Sequence, residues 1–362
     1  MKLNLYIFNF DIMKINFIPI FLKILKRIFI FFLILFFLFL HSPYLVNNYI
    51  MFFIGKMSIY GDLYKMSNLA KFKIEIKACG NNFLNKDLEG GNNLFLLGDS
   101  FLGRIMGYGM IQNGNSSDFK NINNINYVNW KDKIIIPKLN KKSRNILIIE
   151  TVERYSLSPR EFNNIEIDNN LKKVHIINNF NNLGINKLLS LKAESLIKQI
   201  LFFDPFSMYI KDIKAELNYN LFDKLNDEIV ISDDKEYLFY NQTINSLNSS
   251  FNDININKID NIVENYNLLY SYYKNIGFDE VYITIIPNKV SIVSPNFNGK
   301  TYNHLIEKIR DSKKIKFPFI DMYTELKKVN KVTPVYYNND THWNCKGMNT
   351  FIEYVNKYII KN

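Results

Sequence analysis

The stretch from Leu94 to Gly109, Leu-Phe-Leu-Leu-Gly-Asp-Ser-Phe-Leu-Gly-Arg-Ile-Met-Gly-Tyr-Gly, decides how the rest of this 362-residue chain is interpreted. Its first four residues form a continuous apolar run, which is typical of a short strand buried on both faces of a parallel sheet. Gly98-Asp99-Ser100 then turns the chain at the carboxyl edge of that sheet, where open α/β proteins place their chemistry. Ser100 is a candidate nucleophile, and its backbone N–H is a candidate oxyanion donor. The alternative is that Asp99-Ser100 only caps the helix that follows.

Three more apolar runs predict further strands of the same sheet. They are Asn145–Glu150, Val281–Ile286 and Ile315–Ile320, the last of which contains Pro318, a residue without an N–H for the sheet ladder. Segments with helical spacing alternate with these runs, above all Ile256–Ile276, which is followed by a glycine stop. Strands that alternate with helices indicate an α/β fold with a mostly parallel sheet and helices on both faces.

The remaining segments have weaker patterns. Ala70–Lys77 alternates well enough to be a strand, whereas Met110–Asn129 is rich in Asn, Ser and Gly and is interpreted as a loop. Ile185–Phe203 has helical spacing. We therefore expect one domain over residues 60–362, with a helical, Asn-rich insertion around residues 160–255.

The composition limits the choice of partners. Apolar residues make up 48% of the chain, which is enough for a sizeable core, and the formal net charge is +11. The lysines are scattered among asparagines, and the sequence has no Arg-rich stripe, no stacked-aromatic RNA motif and no zinc-finger spacing, so nucleic acid is not expected as a partner. The positive charge favours an anionic polymer or a membrane surface instead.

Residues 17–46 contain the clearest physical signal, because Ile28–Leu40 is an uninterrupted run of Ile, Phe and Leu. Extended on either side, this run reaches the roughly 20 residues that a bilayer span needs. Four basic residues precede its apolar centre, so the positive-inside rule places residues 1–16 in the cytoplasm and the bulk of the chain outside. We expect an uncleaved, single-pass anchor in the inner or plasma membrane with an extracytoplasmic domain. A cleaved signal peptide is the alternative, but no clear small-x-small cleavage site follows the run.

Asp340-Thr341-His342 lies in a polar loop just before the last predicted helix, Gly347–Ile360. A neutral imidazole acts as a general base through one nitrogen when a carboxylate holds the other, and an aspartate two residues before the histidine can supply that carboxylate. Of the four histidines, only His342 has a flanking acid in a loop near the chain end. The alternatives are half of a metal site or a surface accident. No Cys/His cluster with metal-ligand spacing accompanies the motif, so a metal is not expected.

These blocks together resemble the SGNH hydrolase superfamily, and most of all its polysaccharide O-acetylation branch, which includes the alginate-acetylation proteins with an Asp-x-His-Trp motif. Gly98-Asp99-Ser100-Phe101 resembles the nucleophile block, and Asp340-Thr341-His342-Trp343-Asn344 with Gly347 resembles the acid–base block. Three further stretches are similar to motifs of that branch: Glu150–Tyr155 to a Glu-Arg block, Ile286–Lys289 to a Pro-x-Lys block, and Tyr237-Leu238-Phe239 to a Trp-Leu-Phe motif.

The resemblance covers about residues 92–155 and 235–358. It implies a flavodoxin-like three-layer α/β/α fold, no cofactor, and an acetyl-serine intermediate formed on Ser100, with His342 as the base and Asp340 as the acid that orients it. It also implies a polysaccharide substrate, with a multi-spanning membrane O-acyltransferase as the acetyl donor.

Two features of the sequence depart from the branch. The serine block precedes the acid–base block, which is the order of ordinary SGNH esterases, and no Gly-x-Asn-Asp motif supplies an oxyanion amide.

Five residues complete the candidate site. A second oxyanion donor is expected from the backbone of Gly103 or Gly107 or from the Arg154 side chain. Lys289 fits a substrate contact and a cap on the loop that leaves its strand equally well. Trp343 is a further substrate-binding candidate.

Two functional hypotheses follow. The first is a membrane-anchored extracytoplasmic O-acyltransferase or acyl esterase that acts on a glycan. Transfer and hydrolysis differ only in whether a sugar hydroxyl or water attacks the acyl-serine. The alternative is a non-catalytic glycan-binding or assembly subunit that keeps the fold, an interpretation motivated by the missing oxyanion asparagine and the order of the blocks.

Cys79 and Cys345 are the only cysteines. In an oxidising exterior they can form one disulfide, close to His342. Two buried thiols are nevertheless the favoured interpretation of a pair with no further cysteine pattern.

Overall fold

The computed structural model describes residues 21–35, 60–80, 91–107, 116–129, 134–137, 139, 141–156, 165–168 and 205–361. The chain divides into two compact units, Met1–Ile54 with Asn178–Ser207 and Gly55–Ile177 with Met208–Asn362. In the first unit, the described part of the predicted anchor is a helix over residues 21–35, and the rest of residues 17–46 lies outside the described residues. No helix in the described ranges is both long and apolar enough to cross a membrane.

A five-stranded parallel sheet forms the centre of the second unit. Its strands lie in the order β11 (Phe319–Ile320), β8 (Glu280–Ile286), β4 (Ser143–Val152), β1 (Gly91–Gly98) and β2 (Asn124–Asn129). β1 lies between β2 and β4, with Leu97 opposite Val128 on one side and Ile149 on the other. The inner strands are apolar along most of their length, as a sheet covered by helices requires.

Helices flank this sheet in a three-layer α/β arrangement, which confirms the predicted fold class at that level. The helices are Asp62–Ser67, Ser100–Ile105, Glu153–Ser156, Pro205–Phe222, Gln242–Asn245, Ile256–Ile276, Lys289–Val293, Leu305–Arg310, Met322–Asn330 and Cys345–Lys361. Smaller strand pairs in the described ranges are β3 (Ile134–Pro137) with β5 (Ile165–Asp168), β6 (Ile229–Ile231) with β7 (Leu238–Tyr240), and β9 (Asn296–Phe297) with β10 (Lys300–Thr301).

The prediction that Met110–Asn129 is a loop is wrong at its end, because Asn124–Asn129 forms the edge strand β2. Ile125 is fully buried, whereas most of its neighbours in the strand are only half-buried. An edge strand needs few apolar residues, since one of its sides lacks a partner strand. Because Asn124–Asn129 is rich in asparagine, a search for apolar runs does not detect it.

Two further strand predictions need correction. Within Ala70–Lys77, Ala70–Phe72 is a 3₁₀ turn, and Glu75 makes only an isolated bridge with Tyr60. The backbone carbonyls of Phe72 and Ile74 accept hydrogen bonds from the Asn339 side chain instead of pairing with a strand. The fourth strand is shortened to β11, because Pro318 has no N–H to donate to the ladder; only its carbonyl takes part, accepting the Ile283 N–H at 3.1 Å.

The helix Ile256–Ile276 is confirmed at both ends. The Asn255 side chain accepts the Lys258 N–H at 2.8 Å, and Gly277 ends the helix with φ of 113°. In the expected insertion, the helix Pro205–Phe222 uses proline at its first position, where no N–H is needed. The predicted helix Ile185–Phe203 lies outside the described residues.

Cys79 and Cys345 form a disulfide, which corrects their interpretation as two buried thiols. The bond joins positions 266 residues apart in sequence. Cys345 begins the last helix three residues after His342, and Cys79 lies near the end of the described segment 60–80. The disulfide therefore ties that segment covalently to the loop predicted to carry the acid and the base.

Candidate active site

Ser100 lies where the sequence predicts it, in the first turn of a helix that starts at the carboxyl end of β1. The cap of this helix is Asp99, whose side chain accepts the Phe101 N–H at 2.9 Å. The Tyr127 hydroxyl donates to the Asp99 carbonyl at 2.8 Å and fixes the turn from β2. Because Asp99 does the capping, the exposed Ser100 hydroxyl is available for chemistry.

Ser100, His342 and Asp340 form one continuous chain of hydrogen bonds. His342 Nε2 lies 2.8 Å from Ser100 Oγ, and His342 Nδ1 lies 2.7 Å from Asp340 Oδ1. The same carboxylate oxygen accepts the His342 backbone N–H at 2.8 Å. Asp340 is fully buried and His342 nearly so. A proton held at Nδ1 by the carboxylate leaves Nε2 free to accept the proton of Ser100, which is the division of roles in a Ser-His-Asp triad.

Arg104, which is not among the residues predicted from the sequence, binds the other side of Asp340. Its Nη2 donates to Asp340 Oδ2 at 2.9 Å, and both side chains are buried. Burial alone would raise the pKa of Asp340, but the Arg104 guanidinium and His342 hold it well below its ordinary value. Arg104 follows Ser100 by four residues and so shares its face of the helix. That spacing is a signal in the sequence that points to Arg104.

Asp62 is a second carboxylate beside His342, and it too is absent from the sequence-based candidates. Its backbone N–H donates to Asp340 Oδ2 at 3.0 Å, while its carboxylate accepts the Thr341 N–H at 2.7 Å and the Thr341 hydroxyl at 2.5 Å. Asp62 Oδ2 lies 3.7 Å from His342 Nδ1. No local motif marks Asp62, because it lies 278 residues from Asp340 in sequence.

Asp62, Asp340 and His342 bring three potential metal-ligand atoms within 4.8 Å of one another. These atoms are already engaged, since both Asp340 oxygens accept hydrogen bonds, one of them from the Arg104 guanidinium, and His342 Nδ1 binds Asp340. A metal would have to displace a proton from Nδ1 and compete with the guanidinium. The set fits a hydrogen-bonded acid–base pair better than a metal site.

Lys289 is buried, and its ammonium binds the acid–base loop, residues 337–342. It donates to the carbonyls of Tyr337 (3.1 Å), Asn338 (3.3 Å) and Asp340 (2.8 Å). Burial lowers the pKa of Lys289 to about 7, although nearby carboxylates oppose the change. With its donors committed to backbone carbonyls, Lys289 does not contact substrate. It also does not cap the exit of its own strand, and instead tethers the loop that carries Asp340 and His342.

Gly103 and Gly107 do not supply the second oxyanion donor. The Gly103 N–H donates to the Asp99 carbonyl at 3.1 Å, and the Gly107 N–H donates to the Arg104 carbonyl at 3.1 Å, so both are used by the helix. Gly103 instead provides space, because a Cβ there would lie 2.9 Å from the Tyr127 hydroxyl. Gly107 has φ of 73° just after the helix end, a conformation that favours glycine.

The Ser100 N–H and Arg154 remain as candidate oxyanion donors. The Ser100 N–H is the first of its helix and has no acceptor among the described residues. Arg154 lies in the helix that follows β4, the neighbour of the strand leading to Ser100. Its guanidinium lies 4.9 Å from the Tyr155 ring, and one Nη donates to the Asn288 side chain at 3.4 Å. Its Nε has no hydrogen-bond partner within the described ranges.

Trp343 belongs to the core, which corrects its prediction as a substrate-binding residue. The indole is completely buried, with its ring centre 5.1 Å from that of Phe101 and 5.2 Å from that of Phe351. Phe101 also packs against the His342 ring at 4.6 Å. A side chain without exposed surface does not touch substrate, so Trp343 supports the imidazole through Phe101.

Glu153, in the helix that follows β4, binds residues that follow β8. Its Oε2 accepts the Asn288 N–H at 2.8 Å and the Ser291 hydroxyl at 2.7 Å. Burial raises the pKa of Glu153 to about 7, and these hydrogen bonds limit the rise. The Glu-Arg and Pro-x-Lys blocks therefore meet at the carboxyl edge of the sheet.

Comparison of the chain with family models, with curated proteins and with solved structures finds no match. The geometry around Ser100, His342 and Asp340 is therefore the basis for a functional conclusion.

Proposed function

We propose that this protein is a serine-dependent O-acyltransferase or acyl esterase of the SGNH type that acts on a glycan. The observation that carries the proposal is the hydrogen-bonded chain from Asp340 through His342 to an exposed Ser100 hydroxyl, with links of 2.7 and 2.8 Å. A nucleophile, a base and an acid in this order are the parts needed to form and resolve an acyl-serine ester.

In the proposed reaction, Ser100 Oγ attacks the carbonyl carbon of an acyl ester while His342 Nε2 takes the hydroxyl proton. Asp340 holds the Nδ1 proton and stabilises the imidazolium, and the Ser100 N–H with Arg154 stabilises the oxyanion. His342 returns the proton to the departing alcohol, which leaves an acyl-serine. A sugar hydroxyl or water then attacks, gives its proton to His342, and the acyl group leaves Ser100, which recovers that proton.

The proposed location and partner follow from the rest of the chain. Residues 17–46 would anchor the protein in the inner or plasma membrane with its domain outside, next to a multi-spanning O-acyltransferase as the acetyl donor. The disulfide between Cys79 and Cys345 supports this proposal, because such bonds form and persist in oxidising compartments.

Labelling with a fluorophosphonate tests the proposal, since this probe reacts with an activated serine. We expect the full-length protein in detergent to be labelled and the Ser100→Ala variant to be unlabelled. Ser156→Ala serves as the control, because Ser156 is buried and donates to the Glu153 carbonyl at 2.7 Å. Labelling of Ser100→Ala at the wild-type rate would contradict the proposal.

The alternative is a non-catalytic subunit that binds an acylated glycan. The observation that favours it is the use of the Gly103 and Gly107 N–H groups inside the helix, which reduces the donors left for an oxyanion. A folded wild-type protein that is not labelled, but binds acetylated glycan in a pull-down with the deacetylated polymer as control, would select this alternative.

A further inference from the structure

Arg104 alters the charge balance of the triad. In a Ser-His-Asp site, the negative charge of the buried aspartate stabilises the imidazolium that forms during the reaction. Here Asp340 is also 2.9 Å from the Arg104 guanidinium, and both side chains are buried, where charges interact strongly. The positive charge of Arg104 therefore offsets much of the field that Asp340 exerts on His342.

Asp62 supplies a second negative charge near His342 Nδ1, the nitrogen that binds Asp340. Its Oδ2 lies 3.7 Å from His342 Nδ1, compared with 2.7 Å for Asp340 Oδ1. The backbone of Asp62 binds Asp340, and its carboxylate binds Thr341, the residue between the acid and the base. Each of these contacts places the Asp62 carboxylate against the acid–base loop rather than in bulk solvent.

The helix that carries Asp62 is held in place independently of that carboxylate. The Tyr64 N–H donates to the Asn339 carbonyl at 3.0 Å, and Gly61 is so close to Asn339 that a Cβ would overlap its backbone. The Asn339 amide reaches back to the Phe72 carbonyl at 3.0 Å. Together with the Cys79–Cys345 bond, these contacts fix segment 60–80 on the loop.

We propose that Asp62 is a positioning residue of this site. It fixes the acid–base loop through Thr341, and its negative charge compensates for the positive charge that Arg104 places beside the Asp340–His342 pair. The inference rests on the proposed function. With the guanidinium, two carboxylates and a neutral imidazole, these four side chains carry a net charge of minus one, which becomes zero when His342 takes the proton of Ser100.

Other titratable groups also face this site, and the test has to account for them. Lys65 lies on the helix of Asp62, Lys289 reaches the loop from its own helix, Tyr337 lies on the loop, and Tyr240 approaches Asp62 from β7. Burial raises the pKa of both tyrosines, so they stay neutral in the assay range. Burial lowers the pKa of Lys289 to about 7 and the Asp62 carboxylate opposes that change, so Asp62→Asn also lowers the pKa of Lys289. The NMR titration described below follows the His342 ring itself and so separates its titration from that of Lys289. The comparison is therefore made between variants over one pH series.

The test uses the full-length protein in detergent, with 4-nitrophenyl acetate turnover measured between pH 5 and pH 9. Asp62→Asn removes the charge, while its amide can still accept from the Thr341 N–H and donate to the Thr341 hydroxyl. We expect kcat to fall about 10-fold at unchanged KM, and the acid limb of the pH profile to move down by about 0.5–1 pH unit, because the imidazolium loses a neighbouring carboxylate.

Two matched variants separate charge from anchoring. Glu75→Gln removes an exposed carboxylate of the same segment and should change neither kcat nor the acid limb. Thr341→Val removes a hydroxyl that binds Asp62 but keeps the charge, so it should lower kcat without moving the acid limb. An Asp62→Asn profile that coincides with that of Glu75→Gln, or an Asp62→Asn loss of kcat with a stationary acid limb, would overturn the inference.

A readout without turnover keeps this inference separate from the proposed function. If the wild type neither turns over substrate nor reacts with a fluorophosphonate, the proposed function fails. Histidine-selective NMR of the same protein then follows the pH at which the His342 ring signals change. Asp62→Asn should lower that pH and Glu75→Gln should leave it in place, and an unchanged His342 titration in Asp62→Asn would overturn the role of Asp62 in either case.

Discussion

At the residue scale, the buried Glu150 explains why the residue that precedes Asp99-Ser100, Gly98, is a glycine. Gly98 packs against Glu150, whose carboxylate accepts the Asp99 N–H at 2.9 Å. A Cβ at position 98 would overlap both this carboxylate and the Leu102 side chain. Burial raises the pKa of Glu150 well above its ordinary value, and the neighbouring Asp99 adds to the rise. Gly98 therefore lets β1 approach β4 closely at the point where the chain turns into Ser100.

The triad residues should act as one unit. We expect Ser100→Ala, Asp340→Asn and His342→Ala each to lower ester turnover by about 10⁴-fold, and a double variant to be little worse than the worst single one. The measurement is kcat for 4-nitrophenyl acetate, with circular dichroism to confirm folding.

His304→Ala is the control for the triad variants, because His304 is exposed, pairs with Glu307 and packs its ring against Tyr302. Near-normal rates in Asp340→Asn and His342→Ala, with Ser100→Ala inactive, would show that another residue is the base.

Glu153 should make the stability of the domain depend on pH. Its pKa rises from 4.5 to about 7 on folding, so the folded state binds more protons between these values and the free energy of unfolding falls as pH rises from about 4.5 to 7. The loss is up to about 3 kcal/mol. We expect Glu153→Gln to flatten this dependence in urea unfolding at pH 5, 6 and 7.

Glu353→Gln, which alters an exposed carboxylate of the last helix, should keep the wild-type pH dependence. A Glu153→Gln curve parallel to the wild-type curve would mean that Glu153 is charged in the folded protein at pH 5.

At the scale of elements, three separate parts of the chain hold the acid–base loop. The helix after β8 contributes Lys289, the Ser100–Ile105 helix contributes Arg104, and segment 60–80 contributes Asp62 and the disulfide partner Cys79. In the described structure the ends of this loop are joined only by an isolated bridge between Tyr336 and Trp343, so such contacts are needed to keep His342 within hydrogen-bond reach of Ser100.

Removing the disulfide should loosen this arrangement. A Cys79→Ala, Cys345→Ala double variant is expected to lose about 2–5 kcal/mol of unfolding free energy, because the bond closes a very long loop in the unfolded chain. Thermal unfolding followed by circular dichroism measures the change. The wild type with a reducing agent should reproduce the lower melting temperature, and an equal melting temperature in all three samples would show that the bond contributes nothing.

At the scale of the whole molecule, residues 17–46 should decide where the protein resides. We expect the full chain to fractionate with membranes and to resist extraction by alkaline carbonate, with a domain that external protease cleaves in spheroplasts. Recovery of the full-length chain in the soluble cytoplasmic fraction would contradict the proposed anchor. Release by carbonate would indicate a peripheral attachment instead.

Local signals account for what the sequence alone determined. The strands β1, β4 and β8 and the helix Ile256–Ile276 were predictable, because apolar runs, helical spacing and a glycine stop all lie within a few residues of one another. The pairing of Asp340 with His342 was predictable for the same reason, since the two residues are only two positions apart. Ser100 was predictable from its turn at a strand end.

Only the tertiary structure decided which distant residues surround those local pieces. Arg104 and Asp62 reach Asp340 across 236 and 278 residues, and the disulfide spans 266. The tertiary fold also buried Trp343 and placed Lys289 against the loop. No local pattern encodes such contacts, because they depend on how the order of the strands brings remote segments to one sheet edge, where packing and buried charge then select the partners.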